Sequence, residues 1–289
     1  MTDTLTARQL LDRLVAFPTV SSSTNLPLIY FVRDYFLSHG IDSEVIPNED
    51  GTKAGLIAAV GPDVTGGVAL SAHSDVVPVE GQNWTTEPWK VIEKDGKIYG
   101  RGTCDMKGFV ALAIAAMVKA KASNLKRPLQ FALSRDEEVG LLGAPDVAQG
   151  LLDKFAKVDA VLVGEPTEMK VVTGHKSCDD LQFHVRGHEV HSSLLHEGVS
   201  AVMCGARFVE WVRKQNVKNQ ARVPSTVAAM YNPPFTTLHV GQINGGTANN
   251  ITAKDCYFAI DLRCVGDERP EDWRSKIQQE IASIEKEMK

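Results

Sequence analysis

The chain has 289 residues, a formal net charge of -5, 43% hydrophobic and 23% charged residues. Those proportions suit a globular protein of one large domain or two ordinary ones. The acidic balance and the lack of a long basic run argue against a nucleic-acid surface. No apolar stretch reaches membrane-span length, and the N-terminus MTDTLTARQLLDRLV lacks the apolar core of a secretion signal, so a cytoplasmic location is expected. Cys104, Cys178, Cys204, Cys256 and Cys264 are odd in number, irregularly spaced and without a CxxC pair, which predicts free thiols in a reducing compartment.

Leu5, Leu10, Leu11, Leu14 and Val15 recur with helical period until Pro18 ends the pattern. A second helix is predicted over 26–38, stopped by Gly40. IDSEVI reads as an edge strand and AGLIAAVG as a buried one; VALSA is a third strand and delivers His73 and Asp75. Residues 80–97 form a long polar connection with Trp84 and Trp89; its length points to a function, and the plainer reading is that both indoles pin the loop to the core. A helix follows over 108–122, with Phe109, Leu112, Ala113, Ala116 and Met117 on its buried face. PLQFALS is a strand with Glu137 and Glu138 just past its end. After a short helix at 144–155, VDAVLVGEP reads as a buried strand that carries Glu165. Strands near 56–60, 68–72, 129–134 and 159–163, separated by helices or long loops, predict an α/β domain over 1–177 with a mainly parallel central sheet.

The texture changes near residue 178. DLQFHVRG alternates apolar and polar, as a half-exposed strand does. A helix is predicted over about 199–214, burying Val202, Met203, Ala206, Val209 and Val212. TTLHVGQI and KDCYFAIDLR are two more strands. The last segment is an amphipathic helix started by Pro270, with Trp273, Ile277, Ile281, Ile284 and Met288 as its stripe. The order over 178–289 is that of a small α+β sandwich without its final strand.

His73 and Asp75 lie two residues apart on extended backbone and point the same way. Imidazole and carboxylate both suit a borderline-soft cation such as zinc. Asp105, the pair Glu137–Glu138 and Glu165 each follow another apolar segment, and ligands gathered from strand ends are how an open α/β sheet builds a site. A lone HxD is weak, and acidic residues such as Asp136 and Glu168 often only cap helices or decorate loops. Four clusters at successive strand ends point instead to a metal hydrolase. Two ions about 3.5–4 Å apart need a bridging carboxylate, and Asp105 is placed for it. His73 and Glu165 would hold one ion and Glu138 the other. The other glutamate of the pair is then free to take a proton from the attacking water and pass it to the leaving amine. Asp75 is expected to accept from the far ring nitrogen of His73 and fix its tautomer.

HSDVVP, GRGTCDMKG, DEEVG, GEPT, HSSLLHEG and GGTANN, in this order, resemble the acetylornithine deacetylase group of the co-catalytic zinc aminoacylase and carboxypeptidase (M20) family. The resemblance implies a zinc-hydrolase domain with an inserted α+β lid or dimerisation domain, here 1–177 and 178–289, and two zinc ions, with cobalt or manganese as substitutes. It makes His73, Asp105, Glu138 and Glu165 metal ligands, Glu137 the general acid/base and Asp75 the carboxylate behind the first histidine. His191 matches a lid histidine that polarises the scissile carbonyl, often across a dimer. Asn250 and Arg263 match lid residues that contact the substrate's carboxylate end. The implied partners are a small-molecule N-acyl amino acid and a second copy of the chain, and the implied reaction is removal of acetyl from N-acetyl-L-ornithine in arginine biosynthesis. A succinyl-diaminopimelate desuccinylase-like or other N-acyl-amino-acid hydrolase is the alternative activity, and an inactive dimerisation or ligand-binding relative the alternative class. Two departures stand out: Ala253 where the family has a proline, and no match to the histidine that is the fifth ligand near the family's C-terminus. On that basis the chain is expected to be a C-terminally truncated member and a weak catalyst.

Overall fold

The computed structural model describes residues 4–288 and divides into two compact units, Met1–Lys170 and Val171–Lys289. Among the described residues no helix is long and apolar enough to cross a membrane.

In the first unit, α1 (Ala7–Val15) opens on a capping box: the Thr6 hydroxyl accepts from the Gln9 N–H, and the Gln9 side chain accepts from the Thr6 N–H. It is followed by α2 (Leu26–Ser38), β1 (Ser43–Pro47), β2 (Ala54–Val60) and β3 (Val68–His73). Then come the hairpin β4 (Ile92–Lys94) and β5 (Lys97–Tyr99), α3 (Lys107–Lys121), β6 (Leu129–Ser134), α4 (Ala144–Lys154) and β7 (Ala160–Val163). The five-stranded sheet runs β1-β2-β6-β3-β7. β6, β3 and β7 are parallel neighbours, whereas β1–β2 and β2–β6 are antiparallel. The sheet is therefore mixed, not mainly parallel. The link from Asn48 to Lys53 between β1 and β2 is too short for a crossover and can only reverse the chain, whereas α3 and α4 supply the long connections that parallel pairing needs.

α1, α2 and α3 cover one face of this sheet with the main core, in which Phe36 meets Phe131 edge-on at 5.4 Å. The buried face of α3 is Val110, Ala113, Ile114 and Met117, and Leu112, expected inside, is 60% exposed. This helix is apolar almost all round, so periodicity could not phase it. A smaller cluster around Ile57, Ala132 and Val147 lies under α4 on the other face. β7 has one partner, β3, and Val161, Leu162 and Val163 are all exposed. The strand expected to be buried is an edge strand. An apolar run records the capacity to be covered, not whether an element covers it. The polar connection over 80–97 contains most of the β4–β5 hairpin.

The second unit is built of β8 (Asp179–Arg186), α5 (Ala201–Gln220), β9 (Thr237–Gly245), β10 (Asp255–Arg263) and α6 (Pro270–Glu287). Its strands form a separate antiparallel sheet in the order β8-β10-β9. Alternate residues of β8 and β10 pack with Phe208, Val212, Trp273, Ile277 and Ile284 of the two helices. α5 is longer than expected, and it buries Ala201, Gly205, Phe208 and Val212 while Met203 is exposed. The large Phe208 ring, in contact with Phe183, Trp211 and Phe258, sets the rotation that the aliphatic pattern misphased.

Gly164, between β7 and Glu165, packs directly on α3: a Cβ there would lie 2.0 Å from the Phe109 ring. Gly164→Ala is expected to destabilise the chain by about 1–3 kcal/mol through overpacking, read as a lower urea midpoint at unchanged m.

Candidate metal centre

Three parallel strands end side by side. His73 is the last residue of β3 and pairs with Ser134, the last of β6; Ser71 pairs with Val163, the last of β7. Glu137 and Glu138 follow β6 within four residues, and Glu165 follows β7 within two. Asp105 precedes α3, and the Asp105–Met106 peptide is cis.

These residues converge. His73 Nε2 lies 3.2 Å from Asp105 Oδ1, 3.7 Å from Glu165 Oε1 and 3.8 Å from Glu137 Oε2. Ligand atoms of His73, Asp105 and Glu138 all fall within 4.8 Å of one another, as do those of His73, Glu137 and Glu165. The two sets share the imidazole. Glu137 stands as close to Glu165 as a ligand would, so distance alone does not separate the proton carrier from the ligands.

The electrostatics are those of a cation site. Burial and the neighbouring Asp105 charge push the Glu138 carboxyl up to about 6, against partial relief from His73. Burial raises Glu165 as well, with Asp105 and Glu137 adding to the rise. His73 is 1% exposed, and burial opposes its charge. Hydrogen bonding to Asp105 and the influence of Asp75 outweigh that and lift it to about 10. An imidazolium held among four carboxylates is itself standing in for a cation. The set of one imidazole and four oxygen donors fits a divalent ion of the zinc, cobalt or manganese kind.

Asp75 departs from expectation. His73 Nδ1 makes its 2.9 Å hydrogen bond to the backbone carbonyl of Asp75, and the carboxylate Oδ1 stands 3.6 Å away. The two carboxylate oxygens accept instead from the Ser21 hydroxyl and from the Glu137 and Glu138 N–H groups. A backbone carbonyl is thus the hydrogen-bond partner of Nδ1. Ser21 carries no sequence signal for this, because its contact lies 54 residues away. The same holds for Lys107, fully buried beside the site with Nζ donating to Phe17 O at 2.7 Å and lowered to about 7 by burial.

In the second unit, His191 caps the short 3-10 turn Ser192–Glu197, and its Nδ1 accepts from the Ser193 N–H. The Ser192 N–H donates to Asn250 O at 2.8 Å, so His191 and Asn250 are neighbours. Arg263 lies at the far end of β10, where its Nε donates to Asp261. At about 3.3 Å per residue the length of β10 alone separates it from the Asn250 end by about 25 Å.

Because Glu138 is raised, its ionisation opposes folding in the metal-free chain. The favourable contribution of its neutral form is complete below about 4.5 and lost as pH rises to about 6. Glu138→Gln is therefore expected to stabilise the metal-free chain at pH 7.5, by about 1 kcal/mol after allowing for solvent screening, and to be neutral at pH 4.5. Thermal unfolding in the presence of a chelator measures it.

Residues 69–261 match the model of peptidase family M20/M25/M40. Acetylornithine deacetylase of Myxococcus xanthus is 34% identical over 100% of this chain and 74% of its own length. The Pasteurella multocida enzyme of the same name is 32% identical over 96% of this chain and 72% of its own. Among solved structures, the M20 family metallo-carboxypeptidase Sso-CP2 from Sulfolobus solfataricus shares the fold, with a TM-score of 0.73 at 14% identity over 97% of this chain and 76% of that one. Sequence match, mixed α/β sheet and convergent site agree: the chain belongs to peptidase family M20/M25/M40 and is a hydrolase of amide bonds.

Proposed function

We propose that this protein is a metal-dependent deacetylase of N-acetyl-L-ornithine. The observation that carries the reading is the convergence of His73, Glu137, Glu138 and Glu165, at the ends of β3, β6 and β7, with Asp105, which precedes α3. The name borne by relatives at 34% and 32% identity directs it to this substrate.

His73, Asp105, Glu138 and Glu165 are the proposed ligands. Two ions, zinc by default, are proposed: His73 has one free ring nitrogen and would serve one of them, and the surrounding carboxylates would supply the remaining donors. Bound ions would act as Lewis acids toward the acyl carbonyl and acidify the attacking water. Glu137 is the proposed acid/base: its carboxylate takes the proton of the attacking water and returns it to the departing α-amine of ornithine, while acetate carries the new C–O bond. Asp75 keeps the site in place from behind.

On the second unit, the proposed lid and dimerisation element, His191, Asn250 and Arg263 are assigned to the substrate. The separation of Arg263 from the His191–Asn250 pair supports a homodimer in which two copies contribute opposite ends of β10. A cytoplasmic biosynthetic role accompanies this reading.

The test is release of ornithine by the purified chain with added zinc, beside N-succinyl-LL-diaminopimelate as competitor. Faster hydrolysis of the succinyl compound would overturn the substrate. Glu137→Gln is expected to lower turnover at least about 10²-fold with zinc content unchanged, whereas Glu138→Gln is expected to lose about one equivalent of zinc. Near-normal turnover in Glu137→Gln would remove that residue from the chemistry.

A further inference from the structure

The Asp75 carboxylate is 4% exposed, and its hydrogen bonds run to three backbone or side-chain donors. Oδ1 accepts from the Glu137 N–H at 3.1 Å. Oδ2 accepts from the Glu138 N–H at 3.3 Å and from the Ser21 hydroxyl at 2.7 Å. One buried carboxylate thus holds the backbone of both glutamates. Ser21 is the side chain within hydrogen-bond distance of it, since the ring of His73 bonds to the Asp75 carbonyl and stands 3.6 Å from Oδ1.

Ser21 is in turn fixed from three sides. Its N–H donates to Val76 O, and Val76 N–H donates to Thr19 O, so residues 19–21 run alongside the chain that carries Asp75. The Thr19 hydroxyl donates to Ser74 O at 2.6 Å. Lys53 Nζ donates to Ser21 O at 2.5 Å and also pairs with Asp136, the residue before Glu137. Asp136 has φ 55°, a conformation that a non-glycine residue keeps only where its surroundings hold it. Ser21 and Lys53 both lie outside residues 69–261, the stretch that matches the family model.

We propose that Ser21 is a positioning residue of the metal centre, which acts through the Asp75 carboxylate to fix the backbone of Glu137 and Glu138. The reasoning is geometric. The direction of each glutamate side chain follows from its backbone, and that backbone leaves β6 through a left-handed residue with no strand partner beyond Ser134. A charged acceptor shared by two consecutive N–H groups is the strongest restraint available there, since hydrogen bonds to an ionised group are about twice as strong as neutral ones. The one side-chain hydroxyl on it is that of Ser21, which shares Oδ2 with the Glu138 N–H, while the His73 ring stands 3.6 Å from Oδ1. The inference deepens the metal-dependent reading above, but its first test does not depend on metal.

Amide hydrogen exchange followed by NMR on the full metal-free chain gives that test. Ser21→Ala is expected to speed exchange of the Glu137 and Glu138 amides at least about tenfold. Amides within β6, such as that of Phe131, should be unchanged. Ser21→Thr keeps the hydroxyl and is expected to restore protection. Zinc affinity, read by competition with a chromophoric chelator, should fall about tenfold in Ser21→Ala and recover in Ser21→Thr. Unchanged exchange at Glu137 and Glu138 in Ser21→Ala overturns the proposal. So does acceleration spread evenly along β6, or a threonine variant no better protected than alanine. A parent chain that binds no zinc would overturn the metal-dependent reading, while the exchange result would still decide the role of Ser21.

Discussion

The in-register parallel pairing of β6, β3 and β7 is the constraint on which the first unit depends. Leu133 faces Ala72, Ser134 faces His73 and Val163 faces Ser71, so three chains leave the sheet at one level. The residues that follow have no ladder to continue and turn into a common space. A slip of one residue would reverse every side chain and take His73 to the opposite face. The antiparallel strands β1 and β2 lie outboard of this triplet and carry none of the convergent residues.

Gathering that many carboxylates works against the fold. Glu138 and Glu165 are pushed toward their neutral forms, and the imidazole is held as a cation. Such an arrangement is tolerated where a positive charge offsets it, and a divalent ion does so more fully than one imidazolium. Asp75 plays the opposite part. It is buried yet held below the usual carboxylate range: burial alone would raise it, and the His73 ring, the Ser21 hydroxyl and the Glu137 N–H outweigh that. One carboxylate is kept ionised by donors so that its neighbours can be held in place.

The second unit follows different rules. Its sheet is antiparallel, its strands alternate, and its two helices pack with the strands around Phe208, Phe258 and Trp273. Functional candidates sit at the two ends of β10 instead of in one cluster. A long strand is stiff, and its length keeps the His191–Asn250 pair apart from Arg263 within one copy.

The sequence by itself determined the α/β class of the first unit, the alternating strands of the second, and the residues of the centre. His73, Glu137, Glu138 and Glu165 lie at or just past the ends of the apolar strands β3, β6 and β7, where a polar residue is visible locally, whereas Asp105 follows the polar turn GRGTC and precedes α3. The stripe of α6 was legible for the same reason, since Trp273 and Ile277 are one turn apart. Tertiary structure alone decided the direction of β1 and β2, the exposure of β7, and the buried faces of α3 and α5. It also decided the partners of Asp75. Those features depend on contacts between segments far apart in the chain: Ser21 with Asp75, Lys53 with Asp136, Lys107 with Phe17, Phe208 with Phe258. Hydrophobic period records that a surface can be buried, whereas which surface meets it is settled only when the chain closes on itself.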